Sequence, residues 1–331
     1  FPRSGTTLIN LIMSSHSHIE LKNNDDLLME FYLKRINPNN LINEKEFDYL
    51  FIKNLNIESK RYLKTIPNEF LDEVKQKLPI PGWEVFQALL SNEREKDNYW
   101  GSKTHNYIWF YDSLSTKYKN CNFVIILRDP RSAVLSAYVK SIVKNGNFSK
   151  DTNSLLVEKI NYDEALSFFI KSAHHWNAWH NVFEQINKNS PKKNIHVFKY
   201  EDLVLTPGQT IKNLFNNLKI EYEEGIINSN HRYNHSVANN TEISYAHSNL
   251  KKPINKKFIN KWEKLDGRLI EIVENICKSN MLRYGYNAET NTSIFNKMYF
   301  DNYLDIRFKY KKKWVNHYNI IRRNFKEICL Q

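Results

Sequence analysis

The sequence has few cysteines and no long apolar segment. Its three cysteines, Cys121, Cys277 and Cys329, are odd in number and lack the spacing of metal ligands, which argues against a disulfide framework. No stretch reaches the roughly 18 consecutive apolar residues that a membrane-spanning helix needs. The few cysteines favour a reducing compartment such as the cytoplasm. Contact with a membrane surface stays undetermined.

Acidic residues are also in deficit, with 36 Asp and Glu against 48 Lys and Arg and a formal net charge of +12. This surplus favours an anionic partner: nucleic acid, acidic lipid, a nucleotide phosphate or an acidic substrate. The positive charges are spread along the chain, with one dense cluster at residues 307–313. A content of 41% hydrophobic and 14% aromatic residues excludes a disordered chain and supports one large domain, with or without an extension.

Strands alternate with helices, which predicts an α/β fold with a parallel sheet flanked by helices. The apolar run 123–127 is typical of a central strand covered on both faces. Two shorter strands are predicted at 99–102 and 195–199. Helices are predicted at 106–117, 130–144, 162–186 and 207–218, and 25–90 is expected to be mostly helical. Residues 223–253 are expected to form a long binding loop or lid.

A candidate phosphate loop stands at the start of the chain, where residues 2–8 (Pro-Arg-Ser-Gly-Thr-Thr-Leu) run into a predicted helix. A helix N-terminus presents unpaired N–H groups and partial positive charge, which bind phosphate. Gly5 permits a close backbone approach. The side-chain donors are Arg3, Ser4, Thr6 and Thr7. The nucleoside triphosphate loop needs two glycines and a Lys-Ser or Lys-Thr pair, so this is a phosphate site of another kind.

This segment resembles the loop with which sulfotransferases hold the 5′-phosphosulfate of 3′-phosphoadenosine 5′-phosphosulfate (PAPS). The resemblance implies a sulfotransferase fold of the P-loop-like nucleotide-binding type in residues 1–287, with PAPS as co-substrate and no metal. It also implies that a strand, and any targeting segment, precede Phe1 in the complete protein. Residues 288–331 are expected to form a basic, aromatic helical extension. Many family members carry lysine at Arg3, and the cytosolic branch often carries tryptophan at Leu8.

A second anion site is predicted where the strand 123–127 ends in Arg-Asp-Pro-Arg. Arg128 lies at the strand end and Ser136 about two helical turns later, so both side chains can face one anion. The pair resembles the 3′-phosphate site of the family, which implies that Arg128 and Ser136 bind that phosphate. Asp129 and Arg131 are expected to shape the turn.

The catalytic candidates lie in Lys103-Thr104-His105, which resembles the Lys-Thr-His motif of the hydroxyl-directed sulfotransferases. The resemblance implies that His105 is the general base and that Lys103 stabilises the charge developing on the leaving phosphate. Other branches use a glutamate shortly after the first helix, where this chain has Asp25 and Asp26. These two are second candidates for the base, with a helix N-cap pair as the plainer interpretation.

Three weaker signals complete the prediction. Tyr200 follows a strand and resembles the tyrosine that lies near the adenine. Lys251 and Lys252 stand roughly where the family has a late Arg-Lys-Gly segment. His174, His175 and His180 share a helix with two tryptophans and are expected to form a packed aromatic face rather than a metal site.

The sequence therefore predicts a sulfotransferase acting on a hydroxyl-bearing acceptor: a carbohydrate, a small molecule or a peptide. A nucleotide or small-molecule kinase and a non-catalytic nucleic-acid binder are the alternatives. Nucleic acid is not the expected partner, because the motifs resemble those of a sulfotransferase.

Overall fold

Parallel strand pairs organise the fold. The computed structural model describes residues 1–23, 26–53, 55, 63–64, 66–91, 99–144, 157–189, 194–228 and 253–288. The strands are β1 (Ile19–Asn23), β2 (Leu41–Ile42), β3 (Ile80–Pro81), β4 (Tyr99–Lys103), β5 (Phe123–Leu127) and β6 (Ile195–Lys199). β1 pairs in parallel with β4 and β5 in parallel with β6, while β2 and β3 form a short antiparallel pair.

Helices surround these strands, so the predicted α/β class with parallel strands is confirmed. The helices are α1 (Thr6–Met13), α2 (Leu27–Lys34), α3 (Glu44–Phe51), α4 (Asn68–Gln76), α5 (Gly82–Leu90), α6 (Tyr111–Lys117), α7 (Pro130–Lys144), α8 (Tyr162–Asn189), α9 (Tyr200–Leu205), α10 (Pro207–Leu218) and α11 (Gly267–Arg283). Short 3-10 turns cover Tyr107–Phe110, Lys256–Phe258 and Lys261–Lys264. Proline suits the first turn of α7 and α10, because its absent N–H has no intrahelical acceptor there.

β5 lies between two apolar clusters, as its continuous apolar run predicts. Ile126 joins a smaller cluster with residues of α1, α9 and α10, and Leu127 joins a larger one with residues of α8 and α11. Successive side chains of a strand point to opposite faces, so the two residues are buried on opposite sides. Each fully buried side chain of this size contributes roughly 1.5–3 kcal/mol, which fixes the strand end that carries Arg128.

Local bounds differ from the sequence prediction in several places. β1 and the β2–β3 pair were not predicted, although α2 to α5 confirm that 25–90 is largely helical. The predicted helix 106–117 begins as a 3-10 turn, and α8 continues to Asn189. Residues 229–252, which form most of the expected binding loop, and nearly all of the predicted extension 288–331 lie outside the described residues.

Candidate functional site

The candidate phosphate loop has an unusual backbone. Arg3 and Gly5 both adopt positive φ, at 67° and 90°, and α1 begins immediately after them. A β-carbon at Gly5 would lie 2.9 Å from Cε2 of Tyr200 and closer still to Cδ2, so the loop backbone rests against that ring. The hydroxyl of Ser4 is buried and has no hydrogen-bond partner in the described part of the chain. The first N–H groups of α1 also lack intrahelical acceptors, so donors converge at this end of the helix.

The structure brings the two predicted anion motifs into direct contact. Arg3 Nε donates to the hydroxyl of Ser136 at 3.2 Å. Arg128 Nη1 donates to the carbonyl oxygen of Arg3 at 2.7 Å. The Arg128 guanidinium lies 4.2 Å from the centre of the Tyr200 ring, in a cation–π contact. Residues from the loop, from the end of β5, from α7 and from α9 thus form one cluster, in which the loop is more than 100 positions from the other members.

This cluster is strongly positive. Burial, and next the charge of Arg128, lower the pKa of Arg3 to about 10, while Tyr200 opposes the shift. Within the described residues neither Arg3 nor Arg128 forms a direct ion pair, although the charge of Arg128 acts on the carboxylate of Glu201, and Nε of Arg128 is buried without a partner. Two adjacent guanidinium groups repel each other unless an anion lies between them. The arrangement is therefore suited to binding an anion with more than one charge.

A second layer of contacts fixes Arg128. Arg131 forms buried ion pairs with Asp129 at 2.6 Å and with Glu274 at 2.7 Å. Trp176 Nε1 donates to the carbonyl oxygen of Arg128 at 3.2 Å. Asp129 and Arg131 therefore shape the turn, as expected from the sequence. Their charges are compensated by each other and by Glu274 of α11.

Two further supports were not predicted. Glu201 accepts a hydrogen bond from the backbone N–H of Asp129 at 3.1 Å and another from the hydroxyl of Tyr286 at 2.9 Å. Arg128 Nη2 donates to the carbonyl oxygen of Phe258 at 3.0 Å. Glu201 could have been identified from the sequence, because it stands beside Tyr200. The carbonyl oxygen of Phe258 could not, because every residue has a backbone carbonyl. Lys251 and Lys252, interpreted either as substitutes for the Arg-Lys-Gly segment or as a solvated charge pair, lie outside the described residues.

The predicted catalytic segment follows the end of β4. Lys103 is the last residue of that strand, and the carbonyl oxygen of His105 accepts a hydrogen bond from Trp179 Nε1 at 3.2 Å. Burial, and next nearby positive charges that include Lys103 and Lys140, lower the pKa of His105 to about 3. The imidazole is consequently neutral at physiological pH.

Asp26, the alternative base, occupies the N-cap position of α2, but its side chain does not cap the helix. Its carboxylate instead accepts hydrogen bonds from the Thr104 hydroxyl and from the side-chain amide of Asn106. The interpretation of Asp26 as a capping side chain is therefore wrong. Asp25 lies outside the described residues.

The histidines of α8 are packed among aromatic rings. His180 is stacked on Trp176 with ring centres 3.7 Å apart, and its Nδ1–H donates to the Trp176 carbonyl oxygen at 2.7 Å. His175 meets Phe1 edge to face at 5.0 Å. In the described part of the chain, no three His, Cys, Asp or Glu side chains are grouped as metal ligands. None of the described helices combines the length and apolar character that crossing a bilayer requires.

Comparison with known proteins agrees with this geometry. The family model described as "Sulfotransferase family" matches residues 1–224. The fold resembles the sulfotransferase domain of the Synechococcus PCC 7002 olefin synthase, with a TM-score of 0.56, 14% identity and coverage of 87% of this chain and 93% of that one. It also resembles the sulfotransferase domain of the curacin biosynthetic pathway, with a TM-score of 0.51, 18% identity and coverage of 87% and 96%. No curated protein sequence matches significantly.

Proposed function

Because the chain belongs to the sulfotransferase family, we propose that it transfers a sulfuryl group from PAPS to an acceptor hydroxyl, with His105 as general base. The observation that carries the proposal is the contact between the two anion motifs, in which Arg3 and Arg128 adjoin without a direct ion pair to a carboxylate in the described residues. PAPS carries phosphate groups at both the 3′ and the 5′ positions. Two adjoining anion sites match that distribution of charge.

Each part of the cluster has a proposed role in holding the donor. The N-terminus of α1 and the donors of the loop bind the 5′-phosphosulfate; these are Arg3, Ser4, Gly5, Thr6 and Thr7. Arg128 and Ser136 bind the 3′-phosphate. Tyr200 lies near the adenine. Hydrogen bonds to charged phosphate oxygens contribute about 1.5–3 kcal/mol each, so the 3′-phosphate contacts distinguish PAPS from nucleotides that lack this group.

The proposed reaction is an in-line displacement. The acceptor oxygen forms a bond to sulfur while the bond between sulfur and the phosphate oxygen breaks, and 3′,5′-adenosine bisphosphate leaves. His105 takes the proton of the acceptor hydroxyl, and Lys103 stabilises the negative charge that develops on the leaving oxygen. The chemistry needs an imidazole that is neutral before transfer, which the lowered pKa of His105 provides.

Donor binding would also adjust this base. A pKa of about 3 makes His105 a weak proton acceptor, because efficient general bases have a pKa near the operating pH. The negative charges of a bound donor would offset the positive charges of Lys103 and Lys140 and so oppose this shift.

Calorimetric titration tests the donor assignment. Wild type and Arg128→Ala are titrated with 3′,5′-adenosine bisphosphate, 5′-AMP and ATP, with Arg268→Ala as the control, because Arg268 pairs with Asp266 instead. We expect the bisphosphate to bind most tightly, with a loss of roughly 10- to 100-fold in Arg128→Ala and no change in the control. Equal binding of all three nucleotides, or tightest binding of ATP, would overturn the assignment.

The acceptor is sought once the donor is established. Transfer of label from 35S-PAPS would be measured with a phenol, a tyrosine-containing peptide and an oligosaccharide. A double-stranded oligonucleotide serves as the counter-test. If it binds in a salt-dependent manner and the bisphosphate does not, the chain is a nucleic-acid binder.

A further inference from the structure

One buried carboxylate holds the turn that carries His105. Nδ2 of Asn106 donates to both carboxylate oxygens of Asp26 at 2.9 Å, and the Thr104 hydroxyl donates to Oδ1. The backbone N–H of Asn106 donates to the Thr104 hydroxyl at 3.2 Å, which closes the network. Asp26 is 6% exposed, so these bonds are shielded from water.

The strand register explains why Asp26 reaches this turn. β1 and β4 run in parallel, with Asn23 opposite Lys103. The residues that follow both strands therefore emerge at the same edge. Asp26 comes three positions after the end of β1, and Thr104 comes directly after the end of β4. Two segments about 80 positions apart are thus joined by a single side chain.

The carboxylate has little capacity for another role. A carboxylate offers about four lone-pair directions, and hydrogen bonds from Thr104 and Asn106 occupy three of them here. Most of its accepting capacity is therefore used to hold this turn. By contrast, the imidazole of His105 has no hydrogen-bond partner within the described residues.

We infer that Asp26 is a positioning residue for the general base: it fixes Thr104 and Asn106 on either side of His105 and so aims the imidazole at the acceptor. The inference rests on the proposed role of His105. Trp179 supplies a third tether through the His105 carbonyl oxygen at 3.2 Å. Residues 104, 105 and 106 are all held, while the His105 ring nitrogens stay available for the acceptor proton.

The hydrogen bonds from Thr104 and Asn106 to Asp26 are called the clamp below. Titration of the His105 ring tests the clamp without requiring activity. The protein is labelled with 15N-histidine, and the His105 resonance, assigned by its loss in His105→Gln, is followed by NMR in wild type, Asp26→Ala and Asn106→Ala. Both clamp variants should raise the pKa of His105 from about 3 towards the ordinary value of about 6.5, because a released turn exposes the ring to water. Loss of the Asp26 charge alone would lower that pKa. An unchanged or lower value in both variants would overturn the inference.

A matched control separates this effect from general destabilisation. Asp266 also accepts several hydrogen bonds, from Arg268. Arg268 packs on Tyr162, about 25 Å along α8 from Trp179 at 1.5 Å per residue. Asp266→Asn should therefore leave the His105 titration unchanged. A shift of the same size in this control would refute a specific clamp.

Turnover gives the second readout. The probe is release of labelled sulfate from 35S-PAPS, with water as acceptor. Asp26→Ala should lower kcat about 100-fold, as expected for a misplaced catalytic group, and leave the affinity for 3′,5′-adenosine bisphosphate unchanged. Asp26→Asn, which keeps an acceptor oxygen for Thr104, should recover part of this loss. In a His105→Ala background the Asp26 substitution should not lower kcat any further.

The outcomes separate this inference from the proposed function. If Asp26→Asn abolishes turnover while His105→Ala barely affects it, Asp26 is the base and the positioning role is refuted. If wild type does not bind the bisphosphate, the proposed function fails, and the NMR titration still decides whether the clamp exists.

Discussion

Gly5 offers the sharpest test of the loop geometry, through the substitution Gly5→Ala. Its φ of 90° lies in the left-handed region, and an added β-carbon would enter the ring of Tyr200. The left-handed conformation costs a non-glycine residue roughly 1–2 kcal/mol. Overpacking by one carbon costs roughly 1–3 kcal/mol. We therefore expect Gly5→Ala to lower the free energy of unfolding by about 2–5 kcal/mol.

Urea unfolding of four variants separates the two contributions. In a Tyr200→Ala background the steric part should disappear, so Gly5→Ala should cost only the roughly 1–2 kcal/mol of backbone strain. Gly208→Ala is the matched control, because a β-carbon at Gly208, in the first turn of α10, meets no atom within 4 Å. That change should be neutral or stabilise by up to about 1 kcal/mol. If Gly5→Ala behaves like Gly208→Ala, the loop does not have the backbone described.

Two further predictions concern buried charge. Arg131→Met leaves the carboxylates of Asp129 and Glu274 buried without their partner and should destabilise the protein by roughly 3–5 kcal/mol; urea unfolding with an unchanged midpoint would contradict this. Burial lowers the pKa of both His105 and His180, so the unfolded chain binds more protons than the folded one below pH about 6.5. Their contribution to stability should be complete above that pH and lost as the pH falls below it, and His105→Gln should reduce the loss between pH 7 and pH 5 in thermal melts.

Local signals were enough to predict several elements. The bounds of β5 follow from its five apolar residues, and the starts of α7 and α10 follow from Pro130 and Pro207. β1 was missed although Ile19 to Lys22 alternate between apolar and polar residues as a strand does, because the run is short and its conformation depends on pairing with β4, about 80 positions later. Propensity in such a short strand is weak compared with a pairing of this kind.

In the candidate site, too, local signals predicted the separate motifs but not the contacts between them. The phosphate loop and the motif at Arg128 were recognisable separately, because each places donors at the start of a helix. Their contact through Arg3 and Ser136 joins residues 133 positions apart, and no local pattern encodes it. Asp26 was singled out in the sequence, but its hydrogen bonds to Thr104 and Asn106 were not predicted. An aspartate just before a helix has the sequence pattern of a helix cap, and its partners lie about 80 positions later.

The hydrogen bonds of Arg128 bear on how the protein is made. One nitrogen of its guanidinium binds the carbonyl oxygen of Arg3 and another binds that of Phe258. A chain emerging from the ribosome has the first of these partners early, but it cannot complete the pair until Phe258 has left the exit tunnel. Donor affinity should therefore develop only after Phe258 has left the tunnel, and a ribosome stalled before that point should display a nascent chain that does not retain the nucleotide.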